Sequence, residues 1–232
     1  MIKRKVKSRS SGFTLIELLV VIAIMGIIVG LTLPAFQSLG RGASMRSAVS
    51  QFRAAVSLAR QHAIVNRTTT YLVLPHENSA LYGSNADLAG MAFRAYNIWS
   101  EKDQTYLRSW QFLPKGVVFV NDIVGHYGIN RGNNNIFTDP FPAGTTQLLP
   151  FPESNSPGPR RAIRAIGFRS DGSCLISGDP EIFLAEGTIL IDPGNGAILS
   201  YDYRKPLEST ALFGVQIRDK TGRTRVFDYR SP

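Results

Sequence analysis

One long apolar run dominates the start of the chain. From Phe13 to Leu33 the sequence reads FTLIELLVVIAIMGIIVGLTL, and Glu17 is its one charge. As a helix this run spans roughly 31 Å, about the thickness of a bilayer's hydrocarbon core, which predicts a transmembrane helix at 13–33. The pattern then turns amphipathic. Met45, Ala48, Val49, Phe52, Val56, Ala59 and Ala63 recur at steps of three and four, which predicts that the helix continues to residue 65 with one face for a core. Arg46, Arg53, Arg60 and Gln61 fall mostly away from that face. Gly26, Gly30, Pro34, Gly40 and Gly42 are places where the helix can bend.

After Asn66 the period shortens. β-branched and aromatic runs predict strands at 69–74, 93–99, 106–113 and 117–120, and again at 165–168, 174–177, 182–185, 188–191, 197–201, 214–218 and 225–229. Ser-Asp-Gly (170–172), Asp-Pro-Gly-Asn-Gly (192–196) and Lys-Thr-Gly (220–222) read as turns between them. Residues 121–160 are rich in Gly, Asn and Pro and read as a long surface loop or a partly disordered excursion. A long helix followed by many short strands is the order of an α+β protein, here a helix packed on an antiparallel β-sandwich-like domain. The expected organisation is a basic leader at 1–12, the N-terminal helix at 13–65, and a globular β-rich domain at 66–232.

Charge sharpens this picture. The net charge of +9 includes Lys3, Arg4, Lys5, Lys7 and Arg9, all ahead of the apolar run. Without those five, 21 basic residues stand against 17 acidic ones, a balance of +4. The leader's charge therefore reads as a topology signal: it stays cytoplasmic and the rest of the chain crosses. An ordinary cleaved signal peptide fits poorly, because the run is long and no small-x-small site closes it. A plain uncleaved anchor leaves Glu17 unexplained, since a carboxylate within a membrane span usually has a partner.

The chemistry-bearing residues are sparse. Cys174 is the one cysteine, so no intrachain disulfide forms, and it reads as a structural thiol. His62, His76 and His126 show no ligand spacing, and no metal or cofactor is expected. No phosphate loop, dinucleotide fingerprint, His-Glu-x-x-His or Gly-x-Ser-x-Gly is present, and no catalytic residues are expected. Asp-Pro-Gly-Asn-Gly lacks the alternating carboxylates of a calcium loop.

Ser-Gly-Phe-Thr-Leu-Ile-Glu-Leu-Leu-Val-Val-Ile-Ala-Ile (11–24) resembles the processing motif of type IV prepilins and type II secretion pseudopilins. That resemblance implies cleavage by a prepilin peptidase between Gly12 and Phe13 and N-methylation of Phe13. It also implies that Glu17 pairs with an N-terminal amine, usually a neighbour's, during assembly. The partners it implies are other pilin-like subunits, an assembly platform and the inner membrane, with the C-terminal domain outside the cytoplasm. FRAAVSLARQHAIVNRTTTYLVL (52–74), Leu113-Pro-Lys-Gly-Val117 and Ile166-Gly-Phe-Arg-Ser-Asp-Gly172 are similar to segments of the GspH/FimT group of minor pseudopilins.

The C-terminus is basic, with Arg218, Lys220, Arg223, Arg225 and Arg230 offset by Asp219 and Asp228. Gly222-Arg-Thr-Arg225 is similar to the Gly-Arg-x-Arg element of FimT-like minor pilins that bind DNA. Alternate arginines on a strand point the same way and can grip successive phosphates, and Tyr229 can stack on a base. The plainer reading is a solvated or ion-paired hairpin. Three functions stay open: a structural minor pilin or pseudopilin, a nucleic-acid-binding minor pilin using Arg223 and Arg225, and a membrane-tethered module of unknown activity.

Overall fold

The computed structural model describes residues 14–76, 79–82, 85–121, 135–137, 145–156, 158–192, 198–203 and 212–229, and the side chains of 31–42, 79, 80, 86, 191, 198 and 201 fall outside it. The chain divides into two compact units, Met1–Gly42 and Ala43–Pro232. Helix α1 runs Leu15–Asn66. In the first unit every large apolar side chain from Leu15 to Val29 is exposed. Among the described residues no helix is long and apolar enough to cross a membrane. The side chains of 31–33, the end of the apolar run, are among those outside the description, and Gly12 and Phe13 lie outside it as well.

In the second unit α1 buries the whole predicted stripe, Met45, Ala48, Val49, Phe52, Val56, Ala59 and Ala63. The partners of this stripe are two antiparallel sheets. The first contains β1 (Thr70–Leu74), β2 (Ala95–Ser100), β3 (Thr105–Tyr106), β4 (Gln111–Phe112), β6 (Thr146–Leu149) and β7 (Arg161–Phe168). Its path is β3-β2-β1-β7-β6, with β4 also on β2. The second contains β5 (Val117–Phe119), β8 (Glu181–Ile191), β9 (Ile198–Tyr203), β10 (Leu212–Ile217) and β11 (Thr224–Asp228). Its order is β11-β10-β8-β5, with β9 on β8. Two single-turn helices, α2 (Ser79–Tyr82) and α3 (Ala86–Ala89), lie between β1 and β2. The α+β expectation therefore holds.

One core joins the helix and both sheets. Phe52 is fully buried and meets Tyr96 of β2 edge-on at 6.0 Å and Phe119 of β5 at 5.1 Å. Alternation along β2 sends Trp99 to the opposite face from Tyr96. There it starts an aromatic row, Trp99–Tyr106–Trp110–Phe151–Tyr82, with neighbouring ring centres 4.9 to 5.9 Å apart. The row also holds the 150–154 segment: Tyr106 Oη donates to the Pro150 carbonyl at 2.7 Å and Trp110 Nε1 donates to the Pro152 carbonyl at 2.7 Å.

Several strand expectations change. Within 121–160, residues 146–149 form β6 because they pair along β7 from Thr146↔Arg164 to Leu149↔Arg161; 122–134, 138–144 and 157 lie outside the description. The two strands expected at 182–185 and 188–191 are one, β8. Gly187 does not turn: it lets Asp202 and Tyr203 of β9 approach where a Cβ would be 2.9 Å from the Asp202 carbonyl oxygen. Residues 174–177 are not a strand. The Cys174 amide donates to Asp219 and the Leu175 amide to Gly167, both at 2.7 Å, so this strap divides its bonds between two elements instead of following one. The 106–113 strand is two short pieces, β3 and β4, both on β2.

One buried histidine gives the domain a pH dependence. His76 is 8% exposed, and its Nδ1 has no hydrogen-bond partner among the described residues. Burial, aided by the nearby Arg164 guanidinium, lowers its pKa to about 3. The unfolded chain protonates this ring below about pH 6.5. Stability from the neutral ring is therefore complete above that pH and declines as pH falls toward about 3, by up to about 1.4 kcal/mol per pH unit. His76→Gln should show a smaller loss of melting temperature between about pH 7 and about pH 5 than the parent chain. Equal losses in both would mean that His76 does not carry the effect.

Candidate functional site

Two places carry the predicted functional residues, one in each unit. In the first, Thr14 and Glu17 bond to each other at the head of α1. The Thr14 amide and hydroxyl each donate to Glu17 Oε2 at 2.8 Å, and the Glu17 amide donates to Thr14 Oγ1 at 3.3 Å. This is a capping box, in which the N-cap residue and the third helical residue satisfy each other's orphan donors. Glu17 stands out in the sequence as a lone charge, whereas the one signal for Thr14 is Thr-x-x-Glu ahead of an apolar run. Gly12 and Phe13 lie outside the described residues.

In the second unit the β10–β11 hairpin carries Arg223 and Arg225. Its ladder ends at Ile217↔Thr224, and the turn closes with Gly222 donating to the Arg218 carbonyl at 2.7 Å and Arg218 to the Arg223 carbonyl at 2.8 Å. Arg223 thus sits at the turn and Arg225 on β11, and both are exposed. Neither forms an ion pair among the described residues; Arg225 instead lies over the Phe227 ring at 4.6 Å. Two neighbouring cations are engaged by acids: Arg218 pairs with Asp179 at 2.5 Å, and Lys220 approaches Asp219 at 3.9 Å. Burial pushes the Asp179 carboxyl up, but hydrogen bonds from the Asp219 amide and Arg218 and the Arg218 charge together outweigh it and keep the carboxyl below its usual range. Tyr229 is partly buried. Its ring covers Gly214, where a Cβ would be 2.7 Å from Tyr229 Cε2, and packs 5.6 Å from Phe183. Arg230 lies outside the described residues.

Arg60 of α1 fixes this hairpin. Its Nε donates to the Thr221 carbonyl at 2.7 Å and to the Gly172 carbonyl at 3.3 Å. One guanidinium therefore holds the Ser-Asp-Gly turn and the Lys-Thr-Gly turn together against the helix. Gly222 fits because it has φ of +62° and lacks the Cβ that would come 2.3 Å from the Gly172 carbonyl oxygen. No spacing rule marks Arg60 in the sequence, because its partners lie more than a hundred residues away.

Among the described residues no group of three or more His, Cys, Asp or Glu side chains could hold a metal ion. Cys174 is buried, and burial raises its pKa to about 11, so the thiol stays protonated at neutral pH. An open groove of about 500 Å³ beside α1 is lined by Gln51, Leu58, Tyr96, Ile98 and Arg108 among others. Its Asn97 amide already serves the Ile98 amide and the Arg108 carbonyl.

Residues 7–33 match the family model described as the prokaryotic N-terminal methylation motif. That motif supports a type IV pilin-like protein, and it implies processing by a prepilin peptidase and assembly with other pilin subunits. It also suggests a membrane-anchored chain. No curated protein and no solved structure matches.

Proposed function

We propose that this chain is a minor pilin or pseudopilin of the GspH/FimT kind, a structural subunit of a type IV pilus or type II secretion pseudopilus. The observation that carries this reading is the methylation motif at 7–33, which takes in the head of a helix whose large apolar side chains are all exposed from Leu15 to Val29. Such a surface needs lipid or neighbouring helices around it. In this reading a peptidase cuts after Gly12, Phe13 is methylated, and 13–33 anchors the chain in the inner membrane with the β-rich unit outside the cytoplasm. Glu17 then exchanges its bonds to Thr14 for a neighbour's amine on assembly. The chain performs no reaction of its own and needs no cofactor; the assembly machinery supplies the work.

The test is the intact mass and N-terminal sequence of membrane-extracted protein with and without a co-expressed prepilin peptidase. A chain starting at methylated Phe13 is expected with the peptidase, and the full leader without it. A chain that keeps Met1 despite an active peptidase would refute the reading.

A second reading is favoured by the exposure of Arg223 and Arg225 on a hairpin fixed by Arg60: contact with nucleic acid. Combined Arg223→Ala and Arg225→Ala substitutions should weaken DNA affinity and flatten its salt dependence.

A further inference from the structure

Arg46, Arg53 and Arg60 stand seven residues apart on α1, all within the compact unit that begins at Ala43. Seven residues fall just short of two turns, so the three form one row, about 10.5 Å apart with ~20° of drift per step. The row runs along one flank of the buried stripe. Surface helices ordinarily mix both signs of charge, with acids three or four residues from each base. Here no acidic residue occurs between Glu17 and Glu77. Arg46 and Arg53 are exposed and form no ion pair among the described residues. Arg60 bonds to two neutral carbonyls, so its charge is not cancelled there. The same bonds bring the hairpin turn, with exposed Arg223, to the end of the row.

The residues between the arginines indicate the kind of partner. The exposed side of this stretch also presents Ser47, Ser50, Ser57 and Gln61. A protein–protein interface core is built on aromatic and apolar side chains, and between Arg46 and Gln61 the exposed apolar side chains include none larger than Ala54. A helix lying on a membrane needs a free apolar face, and the core has taken this helix's. Arginines set among hydroxyl and amide side chains are the groups that contact a sugar-phosphate backbone. Arginine also matches phosphate geometry in a bidentate way that lysine does not.

We infer that Arg46 and Arg53 extend the turn end of the hairpin, at Arg223, into one surface that binds nucleic acid through its phosphates, without reading sequence. This rests on the nucleic-acid reading of the hairpin given above.

The experiment uses the full chain in detergent micelles and a dye-labelled DNA strand of about 30 nucleotides, with anisotropy followed from ~50 to ~200 mM salt. Combined Arg46→Ala and Arg53→Ala substitutions should weaken binding about tenfold at ~100 mM salt and lower the log–log salt slope by about two. The melting temperature should not move, since both side chains are exposed. If the helix pair changes nothing while the hairpin pair weakens binding, the extended surface is wrong and the hairpin reading stands. If neither pair matters, both readings fail. If polyglutamate displaces the DNA as well as unlabelled DNA does at equal charge, the surface takes any polyanion and the assignment to nucleic acid is overturned.

Discussion

Phe52→Ala is expected to lower the unfolding free energy of the second unit by about 3–5 kcal/mol. The ring is fully buried and meets Tyr96 of the first sheet and Phe119 of the second, both edge-on. Truncation therefore opens a void bordered by three separate elements, which cannot all close in on it together. Edge-on aromatic pairs add about 0.5–1.5 kcal/mol beyond area burial. Denaturant unfolding followed by far-ultraviolet circular dichroism gives the number. Phe52→Leu keeps most of the volume and should cost under about 1.5 kcal/mol, which provides a folded reference if the alanine variant is too unstable to purify. A loss below about 1 kcal/mol for alanine would place Phe52 at an ordinary site and not at a junction of three elements.

Gly222→Ala is the second large effect, expected at about 2–5 kcal/mol. Two costs combine. The backbone is left-handed, with φ of +62°, and the added methyl would meet the Gly172 carbonyl oxygen at 2.3 Å and Arg60 Cδ at 2.9 Å. The carbonyl belongs to another turn's backbone, so relief requires the two turns to part and Arg60 to lose a partner. Gly116→Ala is the matched control. It has φ of +83° but open space around its Cβ position, and should cost only about 1 kcal/mol. Hydrogen exchange by mass spectrometry should show β11 losing protection in the Gly222 variant alone. Equal costs for the two variants would mean that backbone strain, and not the clamp, sets the requirement for glycine.

Much of this architecture could be read from residue patterns, for reasons that differ by element. The α1 stripe was legible because its seven positions share one partner face and keep one period. β7, β10 and β11 were legible to within a few residues, since each pairs steadily with its neighbours. Local pattern failed where a residue's environment is set from far away. Gly187 interrupts the run that predicts two strands at 182–185 and 188–191, but its lack of a side chain serves the close approach of β9. Residues 174–177 look like a strand, yet their amides answer to Asp219 and Gly167 separately. The 150–154 segment looks like a loose Pro-rich loop, but Tyr106 and Trp110 hold it. At the candidate sites, short motifs single out Glu17, Arg223 and Arg225 in the sequence. Thr14 could have been found by the capping rule. Arg60 could not, because nothing near it in the chain announces a carbonyl partner in a turn more than a hundred residues on.

The aromatic row has a practical side. The chain has two tryptophans, Trp99 and Trp110, and both flank Tyr106 within that row. Intrinsic emission therefore originates from one neighbourhood, on the face of β2 turned away from Phe52. It will report the 150–154 segment peeling off the first sheet, and it will be nearly blind to events at the Arg60 clamp. A binding titration that watches tryptophan alone would record silence at the arginine hairpin whether or not a ligand had docked there, so a dye placed beside the turn is the observer that site requires.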